Sequence, residues 1–170
     1  MQALSIGAFV RATIEHDYDN SLLTFDRALE MNPNSALALG FSAIVSSFSD
    51  RYERANEHAL KALRLSPFDP LNYHPYGALS IACFFTGRLE DSVTNSTLAV
   101  QVNPTFSFLQ VFLVAGQAGL GRLDAARVSA RRLMTTAPDF TIGSFVRAGF
   151  VRPQLMERLA AELRNAGLPE

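Results

Sequence analysis

The sequence predicts an all-α protein: an α-solenoid of about four helical hairpins closed by C-terminal capping helices. Three observations carry that expectation. The 170 residues are 48% hydrophobic and 18% charged, the composition of a chain able to bury a core. Four segments end alike, in Ala28-Leu-Glu-Met-Asn-Pro33, Ala62-Leu-Arg-Leu-Ser-Pro67, Ala99-Val-Gln-Val-Asn-Pro104 and Leu133-Met-Thr-Thr-Ala-Pro138, with their prolines 34, 37 and 34 residues apart. No segment between those endings reads as a strand, so the repeated unit is a pair of helices.

Residues at fixed offsets justify each hairpin. Counting back seven from the first residue of each ending gives Ser21, Ala55, Ser92 and Ala126. Three earlier stand Tyr18, Tyr52, Leu89 and Leu123, and two before those His16, Asp50, Gly87 and Gly121. Small residues four apart, such as Ala55 with Ala59, Ser92 with Ser96 and Ala126 with Ala130, share one helix face and let a neighbouring helix approach to about 8–10 Å. The first copy pairs Ser21 with the larger Phe25. The Tyr or Leu upstream fills the gap between two antiparallel helices. The residue two before it occupies a tight turn that needs unusual backbone dihedrals. Each proline cannot continue its own helix and suits the start of the next.

In chain order these rules predict helices near 3–15, 18–31, 35–48, 52–65, 71–86, 89–102, 105–120 and 123–136. Three extra residues lie between Pro67 and Tyr76, so the fifth helix should begin irregularly, with Pro75 near its start. Beyond Asp139 the repeat loses register. A short helix near 141–148 and a last one near 154–166, opened by Pro153 and stopped by Gly167, read as the cap.

This pattern resembles the tetratricopeptide repeat (TPR), a 34-residue helix–turn–helix unit with small residues and a closing proline at these offsets. The resemblance covers about residues 3–138 and is strongest in the second helix of each pair. It implies repeats over about 3–34, 35–68, 69–105 and 106–138, followed by capping helices over 139–170. In the first helices the family's large–large–small signature appears in part, as Leu39 with Ala43 and as Tyr76, Leu79 and Ser80. Phe9 and Val114 stand where the family has a small residue. The ending Ala166-Gly-Leu-Pro-Glu170, with the turns Gly87-Arg-Leu-Glu and Gly121-Arg-Leu-Asp, resembles the C-terminal TPR region of bacterial class III adenylate/guanylate cyclase-like or winged-helix signalling proteins. That likeness implies that any cyclase activity would belong to an upstream domain.

Composition narrows the function classes. Fifteen basic and sixteen acidic side chains leave a net charge of −1, without the electrostatic footprint of a nucleic-acid binder. The lone Cys83 rules out an internal disulfide framework and fits a reducing, cytoplasmic compartment. The N-terminal residues lack a basic segment and a cleavage site, and the uncharged run 92–121 is broken by Asn95, Gln101, Asn103 and Pro104, so neither a signal peptide nor a membrane span is expected. His16, His58 and His74 have no metal-ligand spacing, no phosphate-binding loop is present, and Cys83 has no neighbouring base. No enzyme activity, metal or cofactor is expected. Arg127, Arg131 and Arg132 form the densest basic cluster, with Arg122 one turn back, and read as a solvated helix face or as a site for phosphate or an acidic peptide.

The resemblance also implies a binding surface. In TPR proteins the first helices line a concave groove through residues at i, i+4 and i+7. Carried onto this chain, that stripe is Ile6, Val10 and Thr13; Gly40, Ile44 and Ser47; Gly77, Ile81 and Phe84; Val111, Ala115 and Ala118, flanked by Phe48, Phe85 and Phe108. It holds no charged residue, which argues against the basic clamp used for acidic chaperone tails and for an amphipathic helix as partner. Three occupants follow: a foreign helix, the chain's own C-terminal helix, or a second copy in a homodimer. A helical small-ligand domain is the remaining class.

Overall fold

The computed structural model describes residues 2–151 and 153–170, and among these it contains ten helices and no strand. They are α1 (Gln2–Ile14), α2 (Tyr18–Met31), α3 (Ala36–Phe48), α4 (Tyr52–Leu65), α5 (Tyr73–Phe85), α6 (Leu89–Val102), α7 (Ser107–Gly119), α8 (Leu123–Thr136), α9 (Ile142–Arg147) and α10 (Pro153–Asn165). Every expected helix is present, with ends displaced by at most two residues. The chain divides into two compact units, residues 1–82 and 83–170, and the division falls inside α5.

The same local chemistry builds each hairpin. After α2, α4, α6 and α8 the next backbone N–H, of Asn32, Ser66, Asn103 and Ala137, donates to the carbonyl of Ala28, Ala62, Ala99 and Leu133. The proline then ends the ladder, because it has no N–H to give. Between the helices of each pair the turn residue lies in the left-handed region: φ is +54° at His16, +60° at Asp50, +82° at Gly87 and +73° at Gly121. At the last three the following arginine N–H bonds back five residues, to the carbonyls of Ser46, Cys83 and Gln117. This is the cap in which a left-handed residue lets the chain satisfy an orphan carbonyl. Where the turn residue has a side chain, a tyrosine holds it: the Tyr18 hydroxyl lies 2.9 Å from His16 Nδ1, and the Tyr52 hydroxyl donates to Asp50 at 3.0 Å. In the glycine turns leucine takes the tyrosine's place.

In the first unit, Ala55, Ala59 and Ala62 are buried at the contact of α4 with α3, so small side chains permit that close packing. The segment after Pro67 is ordered by its own polar groups. Asn72 Nδ2 donates to the Ser66 carbonyl at 2.8 Å, and the Leu71 N–H donates to Asp69 at 2.9 Å. As a result α5 starts at Tyr73, two residues later than expected, and Pro75 sits in its first turn, where its missing N–H costs nothing. Phe9 fits its unusual place because it stacks on Phe41, with ring centroids 4.4 Å apart, while His74 presents its ring edgewise to both at 5.0 and 5.1 Å.

His74 is 5% exposed, and burial pushes its imidazole down to about 4 from the ordinary 6.5. The unfolded chain therefore binds this proton at a higher pH than the native protein does. The stability is intact above pH 6.5 and is lost as the pH falls through 4, by on the order of 3 kcal/mol from this group. Burial lowers His58 in the same direction. Melting temperature measured from pH 7 to 4 should fall more steeply for the wild type than for His74→Phe, which keeps the aromatic packing without the proton. Parallel curves would show that His74 is not the group responsible.

In the second unit, Ser92, Ser96 and Ala99 on α6 and Ala126, Ser129 and Ala130 on α8 are the buried small-residue faces, and α7 packs against both helices. Gly116 permits the contact with α6: a Cβ there would stand 2.9 Å from Val93 Cγ2. The end of the chain is tied down by the Ile142 N–H donating to the Pro169 carbonyl at 2.8 Å and by the Arg164–Glu170 ion pair at 2.6 Å.

Candidate functional site

The stripe inferred from the sequence is in solvent on one helix and buried on the others. On α1, Ile6 and Val10 are 49% and 46% exposed, and Thr13 is half-buried with its hydroxyl donating to the Phe9 carbonyl at 3.0 Å. Two apolar neighbours absent from the inferred stripe join them, Ile14 at 73% and Leu4 at 41%. Ile6, Val10 and Ile14 are successive fourth residues, so they form one ridge, and this spacing was the signal that could have extended the stripe. On α3, Ile44, Ser47 and Phe48 are buried, and Ser47 spends its hydroxyl on the Ile44 carbonyl at 2.7 Å. Gly40 is buried too: the ring of Pro75 lies 3.5 Å from where its Cβ would be. Gly77 and Ile81 on α5 are likewise inside.

In the second unit the stripe is covered by the chain itself. Phe84, Val111, Ala115 and Ala118 are buried, and Phe85 and Phe108 are half-buried. The buried face of α10, Met156, Leu159, Ala160 and Leu163, has the i, i+3, i+4, i+7 spacing of an amphipathic helix and packs along α7 and α9. Arg158 of α10 places its guanidinium 5.3 Å from the centre of the Phe84 ring, a cation–π contact. Glu162 lies 3.6 Å from the Cβ position of Gly119 at the far end of α7. At the near end Phe108 meets Phe145 at 5.6 Å and Phe150 at 5.2 Å. Of the occupants weighed from the sequence, the C-terminal helix takes the α7 part of the surface.

The polar groups are arranged for packing. Arg54 grips Asp26 through two nitrogens at 2.7 and 3.2 Å, and its Nη2 also donates to Ser42 Oγ at 3.2 Å. His58 Nδ1 stands 2.9 Å from the same hydroxyl. This serine–histidine pair has the makings of a nucleophile and its base, but Ser42 is buried and the network's carboxylate, Asp26, is bound to arginine. Such a network docks α2, α3 and α4 on one another. Cys83 is buried, which raises its thiol pKa and works against a thiolate. Among the described residues no group of three or more His, Cys, Asp and Glu side chains converges as a metal centre would, and no helix is long and apolar enough to cross a membrane.

No family model matches the chain. It is 28% identical over 107 residues to the Small glutamine-rich tetratricopeptide repeat-containing protein 2 of Mycosarcoma maydis, a match that takes 63% of this chain and 30% of that relative. The chain thus spans less than a third of that relative's length. A thermophilic TPR protein of Thermus thermophilus superposes with a TM-score of 0.69 at 21% identity, over 98% of this chain and 90% of that one. The fold is the TPR fold. YrrB, a TPR protein with an unusual peptide-binding site, superposes with a TM-score of 0.60 at 19% identity, over 94% of this chain and 80% of its own. A TPR solenoid is therefore the architecture that carries the exposed ridge of α1 and the covered face of α7.

Proposed function

We propose that the chain is a non-catalytic protein–protein interaction module of TPR type, with four repeats over residues 1–138 and capping helices over 139–170. Its accessible binding element is the uncharged ridge Ile6, Val10 and Ile14, and an amphipathic helix is the partner that fits it. The observation that carries this reading is the exposure of those three large side chains along one face of α1. An apolar ridge at helical spacing is satisfied by the complementary ridge of another helix. YrrB, which shares the fold, has a peptide-binding site of its own, which supports a polypeptide partner. The remaining residues of the inferred groove, Ile44, Ser47, Phe48, Ile81, Phe84, Phe85, Phe108 and Val111, act in this reading as the support beneath binding elements or as the seat of α10.

The cellular setting we infer is the C-terminal region of a bacterial cytoplasmic signalling protein of the adenylate/guanylate cyclase-like kind. The support is the likeness of the Gly-Arg-Leu turns and of the Ala166–Glu170 ending. An in-frame cyclase or winged-helix domain upstream in the gene is the test of that setting.

The binding surface is tested with the double variant Ile6→Glu, Val10→Glu. Both side chains are half in solvent, so the melting temperature should move by only about 2 °C. Crosslinking and co-purification from the native host, with wild type and variant side by side, should show partner capture falling by about tenfold or more. Sedimentation at several concentrations reports whether a second copy is the partner. Equal capture and equal self-association by the two proteins would exclude α1 as the binding element.

A further inference from the structure

Two features of the sequence that the proposed groove does not use, the α8 arginines and the Ala166-Gly-Leu-Pro-Glu170 ending, meet at one place in the second unit. Arg127 and Arg131, four residues apart on α8, form one wall of an open crevice of about 390 Å³. Its other wall is the turn that ends α10, residues Ala166 to Leu168. Ala130 and Met134 lie between. Ala130, Ala166 and Leu168 are buried and, with Met134, make the lining beside the arginines apolar, while the two arginines reach into solvent. The turn is held in place: the Gly167 and Leu168 N–H groups donate to the carbonyls of Arg164 and Leu163, and Pro169 accepts from the Ile142 N–H.

We propose that this crevice binds an acidic peptide segment, carrying two carboxylates beside an aliphatic or aromatic side chain. The charge calls for an anion. Residues 121–170 hold eight arginines against five acidic residues, or +3. Arg131 has no acidic partner among the described residues. Arg127 meets only Asp124, at 3.3 Å, and that carboxylate is fully in solvent, where an ion pair contributes little and is readily exchanged. The donor set selects a carboxylate over a phosphate. The rim N–H groups are already spent on the α10 turn, so no backbone nest remains to cradle a phosphate. What is left is two planar guanidinium forks, which match carboxylates in paired hydrogen bonds. The apolar lining beside them accepts a hydrocarbon side chain, which a free phosphate or a polynucleotide backbone does not supply.

The test is a displayed library of random dodecapeptides selected on the full chain at low salt. Enriched peptides should share two Asp or Glu residues flanking a Leu, Ile, Phe or Met. Titrated singly, they should weaken by about tenfold or more with Arg127→Gln, Arg131→Gln together, and by less than about twofold with Arg132→Gln, which shares the helix but not the crevice. The Ile6→Glu, Val10→Glu variant should bind them unchanged, which separates this surface from the α1 ridge. Four results would overturn the proposal: no acidic enrichment; equal losses with Arg132→Gln and with the crevice pair; inorganic phosphate binding that depends on the two arginines while no peptide is enriched; or self-association that depends on them, which would make a second copy the occupant.

Discussion

Ile81→Glu is expected to unfold the protein. Ile81 is fully buried in α5, although the repeat pattern places it on the stripe that faces a partner. Removing its burial costs about 2–3 kcal/mol, and a carboxylate put there must either stay charged without a partner or take up a proton, so the total reaches about 5 kcal/mol or more. That is comparable with the whole stability of a domain of this size. Urea unfolding should show the midpoint lowered sharply or no folded baseline at all. A variant that melts within a few degrees of the wild type would mean that position 81 faces solvent and that the α5 surface is open. The same substitution offered as a probe of partner binding would report on folding instead, which is why the α1 ridge is the place to test recognition.

Leu163→Glu should release the C-terminal helix. Leu163 is fully buried on the inward face of α10, one turn beyond Leu159, and α10 packs on α7 and α9. Its replacement forfeits a leucine's burial and sets a charge against an apolar helix, at a cost of about 4 kcal/mol to the docking of α10. In a fold whose elements touch mainly their neighbours, such damage stays local. Hydrogen exchange should therefore show the α10 amides losing protection while the α3–α4 hairpin keeps it. The apolar face of α7 and the Phe84 ring, which Arg158 of α10 covers in the native protein, should then bind a hydrophobic dye. Retained protection throughout α10 would show that the helix is held by something other than this apolar face.

Most of the helical framework was legible in the sequence, for local reasons. His16, Asp50, Gly87 and Gly121 stand where the backbone turns left-handed, and the four prolines stand one residue after the last helical hydrogen bond. Both signals act within a turn of helix, so spacing alone locates them. The start of α5 was displaced because Ser66, Asp69 and Asn72 hydrogen-bond among themselves and hold the inserted residues as a turn, a competition between side chain and helix that spacing does not reveal.

The exposed apolar surface was legible only in part. Ile6 and Val10 lie on the inferred stripe and stay in solvent, whereas that stripe ends at Thr13, one residue before the exposed Ile14. Val111 and Ile81 have the same apolar character and the same places in the repeat as the exposed Ile6 and Val10 of α1, yet they are buried. The apolar stripe of α10 was visible as periodicity, but not the helix on which it would settle. The Asp26–Arg54–Ser42–His58 network joins residues up to 32 positions apart and had no sequence signal.

By itself, then, the sequence determined the number of hairpins, their turns and stops, and which side of each helix is small and apolar. Those properties follow from dihedral preference, missing donors and helical period, all of which act over a few residues. Only the tertiary structure decided which apolar faces remain in solvent and that the α8 arginines share a crevice with the end of the chain. Exposure depends on which distant segment packs against a face, and two equally greasy helix faces compete for that segment without any local residue deciding between them.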